Sequence, residues 1–520
     1  MAFPNPNIGA FAWIALVPAF IAVAGTGFRK GFLLGEIFGA GFMASVIYWF
    51  KIFGIVPLIA GALFFGLFFA LFWGLYGCFT KNKPVASSWT SYLLPPLLWM
   101  FLEWLRARGV LGFTWGLFGF TQYKFMSILQ VASVAGVYGI SFILVFVNNL
   151  IAESIRAFME YADTTDLNLS KPHSIKSLFA GVFSLLRNIL KSDTPYHTLR
   201  YAWIALLLLL PGILVLGRLS VPMQLKYDDY ESIGKSPFEV GIVQVNMPQH
   251  IKWKRSNLEP TMKILAENTR FLAQKGAKIV VWPETAIPHA YPLNNPKLKE
   301  FIQWNARNNN VYLVTGLIDR DNKNAYNTVI MVDRWGQILE KYNKIHLVPL
   351  GEYLPLPEKY RKYFDKRIGK YKHGKEIKIF KTPMGNFQVL ICFESMFSYL
   401  ARRGVKKGAQ FLVIQTNDAW FLKSNAAKAH FIMAIFRAVE NRVWVVQSAN
   451  TGVSGIVDPW GRVMNETEIY KRCVVEGKIF PMNTRTLYTR WGDLPAILAG
   501  IISLLILFVI PFFKYRAAKK

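Results

Sequence analysis

VLICFES, Val389 to Ser395, runs four apolar positions, the last of them Cys392, into Phe393, Glu394 and Ser395. A short apolar run that stops at an ionisable residue reads as a buried strand reaching its carboxyl end, which is where α/β folds place their sites. The same pattern recurs on both sides: VGIVQV, AKIVVWPE, VYLVTGLI and NTVIMVD precede it, and AQFLVIQTND, VWVVQSAN and GIVDPWG follow it. Helical stretches separate these runs, so the chain from Phe238 to about Phe480 is expected to form an α/β domain. MVDRWGQIL and IVDPWGRVM echo each other, each a strand, a tight turn ending at Gly336 or Gly461, and a second strand. They predict two antiparallel hairpins in similar roles, and hence a mixed sheet.

Outward from this domain the composition changes. Of 520 residues 53% are hydrophobic, with 41 Phe and 16 Trp, and the apolar residues gather before about residue 218 and after Leu494. That is the pattern of a membrane protein with one large aqueous insert. Seven stretches are long enough, or nearly so, to cross about 30 Å of hydrocarbon: Phe11 to Gly27, Gly31 to Phe50, Ile55 to Phe79, Tyr92 to Leu105, Gly136 to Ala152, Ala202 to Leu216 and Leu494 to Phe513. Arg29, Lys30, Lys81, Lys83, the basic loop from Arg156 to Arg200 and the tail Lys514, Arg516, Lys519 and Lys520 all fall on one side of these spans. The opposite loops carry only Lys51, Arg106, Arg108 and Lys124, so the first side is read as cytoplasmic and the α/β domain as extracytoplasmic.

The expected organisation is therefore six transmembrane helices in residues 1–218 with a cytoplasmic loop at about 153–200, a linker at 219–237, a catalytic domain at 238–486, and a last helix with a basic cytoplasmic tail at 487–520. Within the loop, SIKSLFAGVFSLLRNILKS has an apolar face with basic flanks and reads as a helix lying in the membrane interface. Glu103, with Arg106 three residues on, reads as a helix-end ion pair in preference to a functional intramembrane carboxylate.

The formal charge of +29 suits either nucleic acid or an anionic bilayer. There is no aromatic-basic RNA-binding module and no Cys/His metal spacing, and a domain tethered by its own helices favours the lipid surface. Three cysteines, Cys78, Cys392 and Cys473, suit reduced thiols better than a disulfide framework, with a Cys392–Cys473 bridge left open. The start, MAFPNPNIG, lacks the basic region of a cleavable signal.

Three strand ends carry the chemistry. Glu284 in VVWPETAIP stands between Pro283 and Pro288, Lys344 and Glu352 lie in YNKIHLVPLGEYLP, and Cys392 lies in ICFES. Singly, each has a plain structural explanation: a cap, a surface lysine, a core thiol. Together they describe acyl transfer through a thioester. A thiol with a pKa of about 8.5 needs a base to activate it, a carboxylate can take its proton, and a fixed ammonium can stabilise thiolate and oxyanion.

WPETAIP, NKIHLVPLGEYLP, ICFES and NDAWF resemble the signature segments of the nitrilase superfamily with its Glu-Lys-Cys triad. With spans on both sides, and with LLWMFLEWLRARGVLGFTWGLFGFTQ and GVYGISFILVFVNNLI in the apolar part, nearly the whole chain resembles the membrane-embedded apolipoprotein N-acyltransferase branch. The resemblance implies an αββα nitrilase-like sandwich beside a helical transmembrane bundle in a bacterial inner membrane, with the catalytic domain periplasmic. It implies an acyltransferase that takes a fatty acyl group from a phospholipid and gives it to the N-terminal amine of a diacylated apolipoprotein. Glu284 would be the base, Lys344 the oxyanion stabiliser and Cys392 the nucleophile, with Glu352 and Glu394 in support. Trp253, Phe393, Trp420 and Phe421 match positions used around the lipid site, and His430 matches as well. No metal, cofactor or nucleic acid is implied, and the protein would be a monomer. The chain departs from the family pattern at Phe393 for Tyr, Leu422 for Gly, Ala429 for Gln and Gln447 for Arg, and in seven spans for eight. A membrane-tethered nitrilase-like amidase is the alternative enzyme, and a transporter or scaffold with an inactive domain the alternative of another class.

Overall fold

The computed structural model describes residues 8–81, 88–164, 197–221, 236–354 and 371–509. The interface helix expected within 174–192, most of the linker and the basic tail lie outside the described residues.

Among the described residues, twelve strands form two six-stranded sheets. In the first the order is β12-β1-β2-β3-β4-β5, with β1 (Phe238–Gln244), β2 (Ile279–Val281) and β3 (Tyr312–Arg320) parallel. The hairpin β4 (Ala325–Val332) and β5 (Ile338–Asn343) closes one edge, and β12 (Cys473–Ile479) pairs antiparallel with β1 at the other. The second sheet has the order β11-β10-β9-β8-β7-β6 and a parallel centre of β7 (Gly385–Ile391), β8 (Phe411–Thr416) and β9 (Trp444–Ala449). Strand β6 (Phe380–Thr382) flanks it on one side, and the hairpin β10 (Gly455–Val457) and β11 (Val463–Glu466) on the other.

The two echoing sequences are thus the two edge hairpins. Their turns are built alike: Asp333 Oδ1 accepts from Trp335 and Gln337 N–H, and Asp458 Oδ1 from Trp460 and Arg462 N–H. Gly336 and Gly461 take φ of 88° and 92°, a conformation that costs a glycine no steric strain.

The sheets pack back to back. Continuous runs such as VLI in β7 and LVI in β8 are buried on both faces, as parallel strands between two layers must be. The Ser448 hydroxyl on β9 reaches the Val243 and Val281 carbonyls of the opposite sheet at 3.2 and 3.3 Å. Helices Leu258–Gln274 and Pro296–Asn308 cover the outside of the first sheet, and Ser398–Lys406 and Ala426–Asn441 the outside of the second, an αββα sandwich.

Among the described residues, three helices are long and apolar enough to cross a membrane: Ile55–Thr80, Ala132–Tyr161 and Thr198–Leu219. Gly9–Val23 and Leu494–Val509 are shorter apolar helical segments, and the expected spans near 31–50 and 92–105 fall on Phe28–Val46 and Trp89–Arg106. Phe28–Val46 lies closely along Ile55–Thr80 because Gly31, Gly35 and Gly39 repeat every fourth residue. A Cβ on them would come within 2.5 to 2.8 Å of Trp73 and Phe69 atoms, so these small residues permit backbone contact.

Glu103 and Arg106 correct one expectation. Among the described residues they form no ion pair within 4.0 Å. Glu103 accepts from Phe118 N–H at 2.7 Å, and Arg106 donates to the Trp115 carbonyl at 2.7 Å. The chain after the helix folds back over it, and both charges satisfy that loop's backbone in place of each other.

The apolar helices and the sandwich meet along Ala426–Asn441. Phe421 stacks edge-on against Trp49 and Trp115, at 4.7 and 5.4 Å between centroids, and Gln130 donates to the Trp460 carbonyl at 3.0 Å.

Candidate active site

Three of the expected site residues stand at strand ends, and a fourth strand end joins them. Glu284 follows β2, Lys344 follows β5, Cys392 follows β7, and Thr416 ends β8 with Asn417 and Asp418 just beyond it. Backbone strain collects here as well: Cys392 has φ 50°, Thr285 φ 46° and Leu422 φ 48°, all left-handed in residues that carry a Cβ. Such conformations persist only where the surroundings over-determine them, which is common around active sites. Cys392 opens the short 3₁₀ turn Cys392–Met396, so the half-buried thiol is presented on a sharp strand-to-helix corner.

Lys344 is 1% exposed, yet its Nζ has two carboxylates beside it, Glu352 Oε2 at 2.9 Å and Glu284 Oε1 at 3.7 Å. Burial alone would drive its proton off. The negative charges of Glu352 and Glu284 outweigh burial and hold the ammonium above its ordinary pKa. Its backbone is fixed too, N–H to the Asn327 carbonyl at 2.8 Å and carbonyl to Gly374 N–H at 2.7 Å.

The Cys392 thiol is pushed well above its ordinary value, first by burial and then by the Glu284 carboxylate, with Lys344 pulling the other way. Chemistry that used this sulfur as a nucleophile would therefore need a base to take the thiol proton.

Glu352 accepts from Asn327 Nδ2 at 2.7 Å and from Val348 N–H at 2.8 Å. Asn327 Nδ2 also donates to Glu284 Oε1 at 2.7 Å, so one amide group spends its two hydrogens on the two carboxylates that face Lys344. Glu394, wholly buried, does not point at the thiol. Its Oε1 accepts from Tyr342 Oη, Ile345 N–H and His346 N–H at 2.7, 2.7 and 3.1 Å, and its Oε2 from Ile391 N–H at 2.8 Å. It pins the residues after Lys344 to the residue before Cys392. Burial raises its pKa, and these hydrogen bonds oppose the rise.

Of the expected lipid contacts, Trp253 and Trp420 are 42% and 49% exposed, whereas Phe393 and Phe421 are buried. Phe393 packs near His346 and Phe397, at 5.6 and 5.1 Å between centroids. His430 is buried, with Nδ1 2.9 Å from Asp418 Oδ1 and Nε2 3.1 Å from the Cys392 carbonyl and 2.8 Å from Ser395 Oγ. Burial lowers its pKa, but Asp418 outweighs burial and the net direction is upward. All three cysteines are free, and Cys473 stands apart on β12.

The family described as Carbon-nitrogen hydrolase matches residues 239–479, and that described as Apolipoprotein N-acyltransferase N-terminal domain matches residues 1–150. Among solved structures, Nit3 of Saccharomyces cerevisiae, a member of branch 10 of the nitrilase superfamily, is similar at 22% identity and TM-score 0.38, covering 48% of this chain and 93% of that one. The apolipoprotein N-acyltransferase of Thermotoga maritima is 26% identical over 98% of this chain and 91% of its own length. That of Geobacter metallireducens is 31% identical over 95% of this chain and 89% of its own. The chain belongs to the apolipoprotein N-acyltransferase family.

Three polar residues escaped the sequence reading of this family member. Asn327 bridges the two carboxylates beside Lys344, and its signal was a polar side chain inside the strand NTVIMVD. Thr416 donates toward the Cys392 sulfur at 3.4 Å. Lys252, beside Trp253, is 2% exposed. Its Nζ donates to the Glu284 carbonyl at 3.3 Å, to Thr285 Oγ1 at 2.8 Å and to Asn417 Oδ1 at 3.2 Å. It ties the strained Glu284-Thr285 turn to the loop after β8.

Burial lowers the pKa of Lys252 to about 7, against the attraction of Glu284. The unfolded chain keeps that proton up to about pH 10, so the cost of burying the charge is fully present below about pH 7 and is relieved as pH rises through that window. Unfolding midpoints measured on the wild type and on Lys252→Met are expected to shift in the wild type's favour between about pH 6.5 and 9.5. A difference independent of pH would refute this.

Proposed function

We propose that this protein N-acylates bacterial apolipoproteins by a two-step transfer through a Cys392 thioester. The observation that carries the reading is the pairing of a neutral thiol on a strained corner with a permanently charged Lys344 and the Glu284 carboxylate, in a sandwich packed on apolar helices.

In the first step Cys392 attacks the ester carbonyl of a phospholipid while Glu284 accepts the thiol proton. Lys344 and a backbone N–H stabilise the oxyanion. The lysophospholipid leaves, carrying the proton that Glu284 returns. In the second step the free α-amine of a diacylglyceryl-cysteine attacks the thioester, Glu284 takes the amine proton, and the thiol is restored. Glu352 and Asn327 hold Lys344 and Glu284 in register, and Glu394 holds the corner. Exposed Trp253 and Trp420 offer apolar surface to acyl chains.

Both substrates are lipid-anchored, which accounts for a catalytic domain at 238–486 carried between helical segments. The positive-inside asymmetry supports a full bundle of seven spans with the sandwich on the periplasmic side of the inner membrane.

A hydrolase would use the same groups, and the acceptor separates the two readings. Preformed acyl-enzyme is expected to discharge onto a diacylated lipopeptide with a free N-terminal amine at least about 100-fold faster than onto buffer, as exclusion of water requires. Equal discharge rates would favour the amidase.

A further inference from the structure

Thr416 ends β8, is wholly buried, and has one hydroxyl proton with two acceptors in reach: Asp418 Oδ1 at 2.5 Å and the Cys392 sulfur at 3.4 Å. No solvent reaches it to take the place of either. Asp418 in turn has a second partner, His430 Nδ1 at 2.9 Å, and the far nitrogen of that ring lies 3.1 Å from the carbonyl of Cys392 itself. The groups close a circuit from sulfur to hydroxyl to carboxylate to imidazole and back to the nucleophile's own backbone. Asp418 is wedged in place, since a Cβ on Gly452 would come 2.1 Å from its Oδ2.

One proton cannot serve two acceptors, so the state of the sulfur decides where the hydroxyl points. A thiol is a weak donor that needs only the Thr416 lone pair, which leaves the O–H on Asp418. A thiolate is a pure acceptor and competes for the O–H. We propose that Thr416 is a further catalytic residue, its hydroxyl turning from Asp418 to the Cys392 sulfur as Glu284 takes the thiol proton. Asp418 stays compensated by His430, so the turn strands no charge. The hydroxyl swings back to Asp418 when the sulfur captures the acyl group, and turns to the sulfur again when the thiolate is expelled from the second tetrahedral intermediate. Both steps therefore use it, and Thr416 itself gains or loses no proton.

The charged groups around the sulfur are Glu284 after β2, Lys344 after β5, Asp418 after β8 and, through the carbonyl, His430 on Ala426–Asn441. The hydroxyl opposes the two carboxylates by lowering the thiol pKa, so removing it moves thiolate formation to higher pH.

This inference rests on Cys392 as the nucleophile, and its test separates the two. The full-length protein in detergent carries Thr416→Val, Thr416→Ala or Thr416→Ser, and Cys392 alkylation by iodoacetamide is followed against pH beside acyl-enzyme formation from labelled phospholipid. Val and Ala are expected to shift the alkylation profile upward and slow acyl-enzyme formation roughly 10- to 100-fold, the weight of a hydrogen bond to a charged group. Ser, which keeps the hydroxyl, should stay within about threefold of wild type. Alkylation profiles of Val and Ala that coincide with wild type, or a Ser variant no better than Val, would overturn the role of Thr416. Absence of acyl-enzyme in the wild type would instead overturn the reading beneath it.

Discussion

Cys392→Ala is expected to carry no acyl group after incubation with labelled phospholipid, and to lose N-acylation by at least roughly four orders of magnitude, the scale seen when a covalent nucleophile is removed. In wild type the label should be released by neutral hydroxylamine, as a thioester is and an oxygen ester largely is not. The substitution removes one small side chain at a half-buried position, so folding should survive and the unfolding midpoint should change little. Cys473 and Cys78 provide internal controls, since neither lies at the meeting of strand ends. Label persisting on Cys392→Ala would end the thioester mechanism.

Lys344→Met has the second largest expected effect, and it acts on stability and rate together. Removing the ammonium leaves Glu284 and Glu352 facing each other with only Asn327 between them. Breaking a buried pair in this way costs about 3 to 5 kcal/mol, because the surviving charges are stranded. The loss of an oxyanion partner should separately lower the acylation rate about 100- to 1000-fold. Pairing Lys344→Met with Glu352→Gln removes one of the two stranded charges. The double variant is expected to recover much of the unfolding midpoint and none of the rate. Recovery of activity along with stability would show that Lys344 only holds the fold.

Much of this site was legible before the fold was. Pro283, Glu284 and Pro288, and Cys392 at the end of VLI, stand where local pattern alone marks a strand end, and the structure places β2 and β7 immediately before them. The hairpin echo was legible for the same reason, since Asp333 and Asp458 bind backbone groups within four residues and leave a local trace. Glu394 was legible as a neighbour of the thiol, but its task was not. Its four partners come from β5, the loop beyond it and β7, and only folding assembles them. Glu103 and Arg106 failed for the opposite reason: helix spacing predicted a pair, and a returning loop offered each a better-placed backbone group.

By itself the sequence determined where apolar runs begin and end and which reactive side chains stand at strand termini. These are properties of local spacing and solvation, and they are written along one dimension. The tertiary structure alone decided that Asn327 divides its hydrogens between two carboxylates, that Lys252 braces the Glu284 turn, and that Thr416 stands between sulfur and Asp418. Those facts depend on which strand lies beside which, and on a burial so complete that a polar atom keeps only the partners the fold provides.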